Sequence, residues 1–194
     1  MKKEVLIFTG SPREDSYGAS LARAAAHGVR QAGGRAEIID LAELKLNPCQ
    51  ACDRCRKRGP GQCIQEDDMI KLYPRLKAAR AIILVHPVYW FTINAQTKIF
   101  LDRWYAFGAD GYATFKNKKI GLILTFADRD LASSGAINAI QAYKDMFNYL
   151  ESELAGIVGA SLQARGQAKK EASHRRQAYE LGQELAGKPK VKKS

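Results

Sequence analysis

The sequence predicts an open, doubly wound α/β sheet of five parallel strands in the order 2-1-3-4-5, with helices on both faces. Three observations predict it. Five short apolar runs, at residues 5–9, 36–40, 81–86, 120–126 and 157–161, alternate with five longer stretches of helical spacing. The runs are apolar on consecutive positions rather than on every second one, as strands are when helices cover both faces. Strict β-then-α alternation along 194 residues makes a parallel sheet the architecture that buries every apolar face.

Taken in order, the first run, Val5-Leu6-Ile7-Phe8-Thr9, ends at the turn signal Gly10-Ser11-Pro12. The helix at 20–32 carries Leu21, Ala24, Ala25 and Gly28 on one stripe. The second run is followed by a cysteine-bearing insertion, 45–66, and then a helix at 68–79. The third leads through a loop to a helix at 95–106. The fourth leads to a polar loop and a helix at 134–152, with Ile137, Ile140, Tyr143 and Phe147 on its buried face. The fifth precedes a helix at 167–186. Residues 1–186 read as one domain, and the Lys-rich 187–194 as a disordered basic tail. Five strands rather than six favour the flavodoxin-like order over that of a six-stranded dinucleotide-binding domain.

Hydrophobic residues at 46% and charged residues at 26% exclude a largely disordered chain. The charge is lopsided: 31 Lys and Arg against 20 Asp and Glu, a net +11. Such a balance suggests nucleic acid, and a basic nucleic-acid-binding or regulatory protein is one reading of the chain. The cations, however, are concentrated. Nine stand against three anions from Arg165 onward, and four against one between Cys49 and Cys63. No helix-turn-helix, zinc finger or aromatic RNA platform accompanies them, so docking of an acidic, ferredoxin-like redox partner is favoured over specific nucleic-acid contact. The N-terminal apolar run is too short for a signal peptide or a membrane span, so the expectation is a cytoplasmic protein without membrane contact. Clustered cysteines in that compartment bind metal or do redox chemistry more often than they form structural disulfides.

In an open α/β sheet, ligands sit beyond the carboxyl ends of the strands, where strand order reverses. At the first such end, residues 9–20 supply hydroxyls, Arg13 and two glycines just ahead of a helix N-terminus, a combination suited to a phosphate. An ordinary polar turn is the alternative. Neither Gly-x-Gly-x-x-Gly nor a Walker Gly-Lys-Ser/Thr is present, against dinucleotide and ATP readings. At the third strand end, His86-Pro87-Val88-Tyr89-Trp90-Phe91-Thr92 puts three consecutive aromatics in a loop. They suit a flat ligand, with capping of the core or an interface as the alternative. A planar, phosphate-bearing cofactor satisfies both segments.

The cysteines are spaced C-x2-C-x2-C-x7-C at Cys49, Cys52, Cys55 and Cys63. Three thiolates at successive x2 intervals resemble the ferredoxin run that wraps a cubane cluster. Zinc sites more often use two separated C-x2-C pairs, and silent reduced cysteines are the third possibility. Arg54, Arg56, Lys57 and Arg58 would offset a [4Fe–4S] cluster's negative charge. The sequence holds no Ser/His/Asp or Cys/His constellation, so no catalytic side chain is named. His86 reads first as packing, His27 and His174 as structural, Asp67 and Asp68 as helix caps, and Asp102 with Arg103 as a structural ion pair or oligomer contact.

Ser11-Pro12-Arg13, Pro87-Val88-Tyr89-Trp90, Gln96-x-Lys98-x-Phe100-x-Asp102-Arg103 and Ser134-Gly135-Ala136 together resemble the NADPH-dependent FMN reductase family of flavodoxin-like proteins. The cysteine motif resembles that family's iron–sulfur flavoprotein branch. The resemblance implies an FMN-binding oxidoreductase that passes electrons between a [4Fe–4S] cluster and FMN, with NAD(P)H as a candidate donor. It places Ser11, Arg13, Ser16, Tyr17, Gly18 and Ala19 at the FMN phosphate. Pro87, Val88, Tyr89, Trp90, Phe91 and Thr92 fall against the isoalloxazine, and Ala127 and Asp128 at its edge. It implies a homodimer or homotetramer acting on a small-molecule or protein redox partner. An NAD(P)H-dependent FMN or quinone reductase with no functional cluster is the alternative within the family.

Overall fold

The structure is a computed structural model and describes residues 4–188. From residue 189 on, the predicted tail lies outside the described residues. Strands β1 (Glu4–Thr9), β2 (Arg35–Asp40), β3 (Ala81–Tyr89), β5 (Lys119–Phe126) and β6 (Glu153–Ser161) form a parallel sheet in the order β2-β1-β3-β5-β6. With the short β4 (Thr92–Ile93) set aside, this is the predicted order 2-1-3-4-5, the flavodoxin-like one. β4 folds back antiparallel on the end of β3, pairing Val88 with Ile93 and Tyr89 with Thr92. The segment expected to be a loop is therefore a hairpin, and the sheet has six strands rather than five.

Helices α1 (Tyr17–Gln31), α2 (Met69–Ala78), α3 (Ala95–Asp102), α4 (Ala136–Tyr149) and α5 (Ala168–Leu185) connect and flank the strands. Side chains on β1 alternate between two cores. Leu6 and Phe8 join Leu72, Leu76, Phe100, Tyr143 and Phe147 of α2, α3 and α4. Val5 and Ile7 join Leu21, Ala25, Val29, Leu181 and Leu185 of α1 and α5. Both faces are covered, which explains why the strands read as continuous apolar runs. α1 and α5 lie unusually close: a Cβ on Gly28 would stand 2.0 Å from the Tyr179 carbonyl oxygen.

The predicted helix at 95–106 changes character after Asp102. Arg103–Asp110 continues as 3-10 turns that cover the cysteine loop. Among the described residues, no helix is long and apolar enough to cross a membrane.

Candidate functional site

The turn after β1 is held from beneath. The Gly10 N–H donates to the Val85 carbonyl at 2.8 Å, and the Asn94 side-chain amide donates to the Gly10 carbonyl. Any Cβ on Gly10 would stand 2.0 Å from Thr97 Oγ1, so the backbone passes where only glycine fits. Ser11 is buried, and its Oγ accepts from the Arg13 N–H at 3.2 Å. Ser16 is the N-cap of α1, its Oγ accepting from the Ala19 N–H at 3.0 Å. The Arg13 side chain is exposed, with no hydrogen bond or ion pair among the described residues. Gly18 is buried against Val85 and Thr125. Tyr17 turns its ring away from the turn, its hydroxyl 2.9 Å from His174 Nδ1 on α5. Only its backbone remains at the turn. Asn94 Oδ1 and Thr97 Oγ1 beside Gly10 are buried without a partner. Such orphans at a phosphate-type turn suit a ligand that donates and accepts there.

The hairpin at the end of β3 turns on Trp90 and Phe91, both left-handed at φ 48° and 63°. Positive φ at both central residues matches the type I′ turn, whose twist suits a two-residue hairpin but which ordinarily takes Asn-Gly. Two bulky aromatics there carry strain that exposure does not repay. Trp90 is 92% exposed and Phe91 57%, with Tyr89 and Thr92 also exposed and Pro87 and Val88 half-buried. Asn138 donates to the Phe91 carbonyl at 3.2 Å, and the Phe91 ring lies over Gly135 at the start of α4. Ala127 is exposed and Asp128 half-buried in the loop after β5, where Ser161 Oγ donates to the Asp128 carbonyl. A cavity of about 460 Å³ opens beside this loop, between Phe126, Arg129, Leu131, Ile137, Ser161 and His174.

His86 does not reach this surface. It is buried, with Nδ1 2.8 Å from the Pro87 carbonyl and Nε2 2.8 Å from the Tyr143 hydroxyl, and burial lowers its pKa to about 4. The packing reading holds for it.

The cysteine loop leaves the carboxyl end of β2, the same end of the sheet as the turn and the hairpin. Its base is stitched shut. Lys45 N–H donates to Asp68 Oδ2 and Asn47 N–H to Asp67 Oδ2, both at 2.9 Å, and Gln65 Nε2 donates to the Pro48 carbonyl at 3.1 Å. Ala51 and Asp53 are left-handed, at φ 50° and 55°, bending the chain between the first three cysteines. All four cysteines line one small cavity of about 20 Å³, with Gln65, Arg103 and Tyr105, room for about one water. Cys49 and Cys52 are exposed, Cys63 is half-buried and Cys55 is buried. Among the described residues no three His, Cys, Asp or Glu side chains stand together closely enough to hold a metal ion. The donor set is that of a cluster site, and the loop would have to open around one.

Of the two readings of Asp102 with Arg103, ion pair or oligomer contact, the structure does not form the ion pair. Asp102 instead accepts from Lys98, four residues earlier on α3. The Arg103 side chain is 1% exposed and grips Asp67 with both Nη atoms, while Nη1 also donates to the Asn47 carbonyl at 2.8 Å. Its Nε is buried without a partner. Burial pushes the Cys63 thiol up, but the Gln65 N–H and the Arg103 guanidinium outweigh it, and the thiol rests below its ordinary value. Cys55 goes the other way, raised by burial and by the neighbouring thiols. Asp67 also accepts from the Met69 N–H at 3.1 Å at the start of α2, whose N-cap, Asp68, makes no side-chain cap bond. Tyr105 closes the cavity's rim, donating to Asp53 at 2.7 Å with the Arg56 guanidinium 4.9 Å above its ring.

Sequence reasoning missed Arg103, Tyr105, Asn94 and Thr97. Only the unusual pairing of a buried Arg with an Asp 36 positions away marks the first of them, and no local pattern carries that.

An iron–sulfur flavoprotein of Methanocaldococcus jannaschii is 36% identical over 100 residues, 52% of this chain and 51% of that protein. An iron–sulfur flavoprotein of Archaeoglobus fulgidus is 32% identical over 139 residues, covering 72% of this chain and 70% of its own. The chain spans about half the length of the first of these. The NAD(P)H:quinone oxidoreductase from Methanothermobacter marburgensis shares the fold, with a TM-score of 0.76 at 16% identity over 98% of this chain and all of that one. The family model for NADPH-dependent FMN reductase matches residues 3–158, and the chain belongs to that family.

Proposed function

We propose that this chain is a flavin-dependent oxidoreductase that holds FMN across the carboxyl ends of β1, β3 and β5 and an iron–sulfur cluster on the loop 45–66. The observation that carries the reading is that all four cysteines line one cavity at the same end of the sheet as the polar turn and the exposed aromatic hairpin. A cavity of about 250 Å³, lined by Pro12, Leu41, Leu44, Leu46, Gln96 and Ile99, separates the turn from the loop base.

Ser11, Arg13 and Ser16, with the backbone N–H groups of Tyr17, Gly18 and Ala19, are the proposed phosphate cradle. The Arg13 side chain, with no partner among the described residues, can give the phosphate a charge-assisted bond. Pro87 to Thr92 would meet the ring, with Ala127 and Asp128 at its edge. FMN supplies exchange of electrons singly or in pairs, and a cluster supplies single-electron exchange. The protein's own part is to orient the ring, exclude water from its face with Trp90 and Phe91, and hold four thiolates in place. Cys49, Cys52, Cys55 and Cys63 are the proposed ligands of a [4Fe–4S] cluster. NAD(P)H as donor, an acidic protein or small molecule as acceptor, and a homodimer or homotetramer complete the reading. Exposed Trp90, Phe91, Ile137 and Tyr149 support the last.

A second reading, a family reductase without a cluster, is favoured by one fact: the four thiols close on a space of only about 20 Å³. Purification without oxygen, followed by absorption spectroscopy and iron and sulfide analysis, separates the two. Flavin bands with about four iron per chain support the cluster. Flavin without iron supports the second reading, and absence of flavin refutes both. Cys55→Ser should abolish bound iron and spare the flavin, and unchanged iron would remove Cys55 from the ligand set.

A further inference from the structure

The cysteine loop is closed by one side chain acting at both of its ends. Arg103 Nη1 reaches the Asn47 carbonyl before the cysteines, and both Nη atoms reach Asp67 after them. Asp67 in turn accepts from the Asn47 N–H. Nη1 has two acceptors and Nη2 one, whereas Nε has none, although it is buried and belongs to a residue that lines the cavity with the four cysteines. An unpaired guanidinium N–H inside a protein costs more than an exposed one, and such groups persist where a ligand satisfies them. Cys49, Cys52, Cys55 and Cys63 are among the residues that line the same cavity. A cluster sulfur or a cluster-bound thiolate is an acceptor of the right kind, and it carries the negative charge that a buried cation favours.

We propose that Arg103 is the residue that tunes the reduction potential of the cluster, locking the neck of the loop with its terminal nitrogens while Nε–H and the positive charge serve the cluster's sulfur. This rests on the cluster reading given above. Reduction adds one negative charge to the cluster, and a fixed cation beside it stabilises the reduced form more than the oxidised one. Asp67 offsets that cation from the opposite side. The two members of the pair therefore act in opposite directions on the potential, although both belong to one structural clamp.

The test is a redox titration of the cluster, followed by electron paramagnetic resonance, in protein purified without oxygen, with iron and sulfide measured on each sample. Arg103→Gln should lower the ratio of reduced to oxidised cluster at fixed potential about tenfold, equivalent to about 59 mV for a one-electron couple. Arg103→Lys, which keeps the charge and loses the planar fork, should recover part of that loss. Asp67→Asn, which leaves the cation unneutralised, should shift the ratio upward. Shifts of the same sign in Arg103→Gln and Asp67→Asn would show a clamp and nothing more, and unchanged potentials would equally overturn the assignment. If Arg103→Gln fails to assemble a cluster, Asp67→Asn decides alone: an upward shift supports the proposal, and no shift or a downward one ends it. A wild-type protein that takes up no iron refutes the cluster reading and this assignment with it. Loaded wild-type protein with unmoved variants refutes only the role of Arg103.

Discussion

Lowering the pH from 7 to 4.5 should destabilise this fold through one imidazole. His86 is 1% exposed, with both ring nitrogens in use. The Pro87 carbonyl can only accept, so Nδ1 carries the ring hydrogen and Nε2 accepts from the Tyr143 hydroxyl. Burial lowers the pKa from 6.5 to about 4. Above pH 6.5 the ring is neutral in both folded and unfolded chains. As the pH falls through 6.5, the unfolded chain takes up a proton that the folded chain refuses until about pH 4. Stability therefore drops across that window and levels off below it. At about 1.4 kcal/mol per pH unit, the whole interval is worth about 3 kcal/mol. Asp67, which Arg103 holds low against the upward pull of burial, loses its contribution only below this window. His174 is also lowered by burial, and subtracting the variant's curve removes its contribution. The assay is urea unfolding of wild type and His86→Gln at several pH values. Between pH 7 and 4.5 the wild type should lose about 2.5 kcal/mol more than the variant. Parallel curves would refute the reasoning.

Gly28→Ala gains about 1 kcal/mol of helix propensity, but its Cβ would meet the backbone of Tyr179 at 2.0 Å, which cannot step aside. A net loss of about 2 kcal/mol in urea unfolding is expected, and a more stable variant would sink this account of the α1–α5 contact. Lys118 Nζ donates to the Leu76 and Ala79 carbonyls at the end of α2. Lys118→Met should cost about 1–3 kcal/mol by leaving them buried and unpaired, a loss that thermal melting would register as a lowered Tm. Arg13→Ala should weaken FMN binding by about 1.5–3 kcal/mol in a fluorescence titration of the flavin-free protein; unchanged affinity would move the phosphate elsewhere. Replacing Trp90-Phe91 with Asn-Gly should relieve the left-handed strain and raise Tm while reducing flavin retention. Loss of both would mean that the rings hold the fold instead.

Strand order and layering were legible because they rest on local patterns. Val5 to Phe8 and Ile82 to Val85 are apolar at every position, which in a chain this short requires cover on both faces. The cysteine spacing was legible for the same reason: four reactive side chains within fifteen residues must meet within one loop. The hairpin after β3 was hidden because Trp-Phe is not the dipeptide that a type I′ turn prefers. Only the pairing of Val88 with Ile93, and the Asn138 bond to Phe91, impose it. Tyr17 looked like part of the turn from its sequence position. Its ring went instead to His174, 157 residues later.

The sequence by itself determined the alternation of strands and helices, the end of the sheet that carries polar turns, and the four thiols. Each follows from periodicity, turn chemistry or spacing over a few residues. Tertiary structure decided which charges work together. Arg103 left its neighbour Asp102 to Lys98 and took Asp67, because a guanidinium buried under the loop must find a carboxylate and carbonyls there, whatever their distance along the chain. The same burial keeps His86 neutral and leaves Arg103 Nε without a partner. Desolvation belongs to the folded surroundings, and no reading of neighbouring residues supplies it.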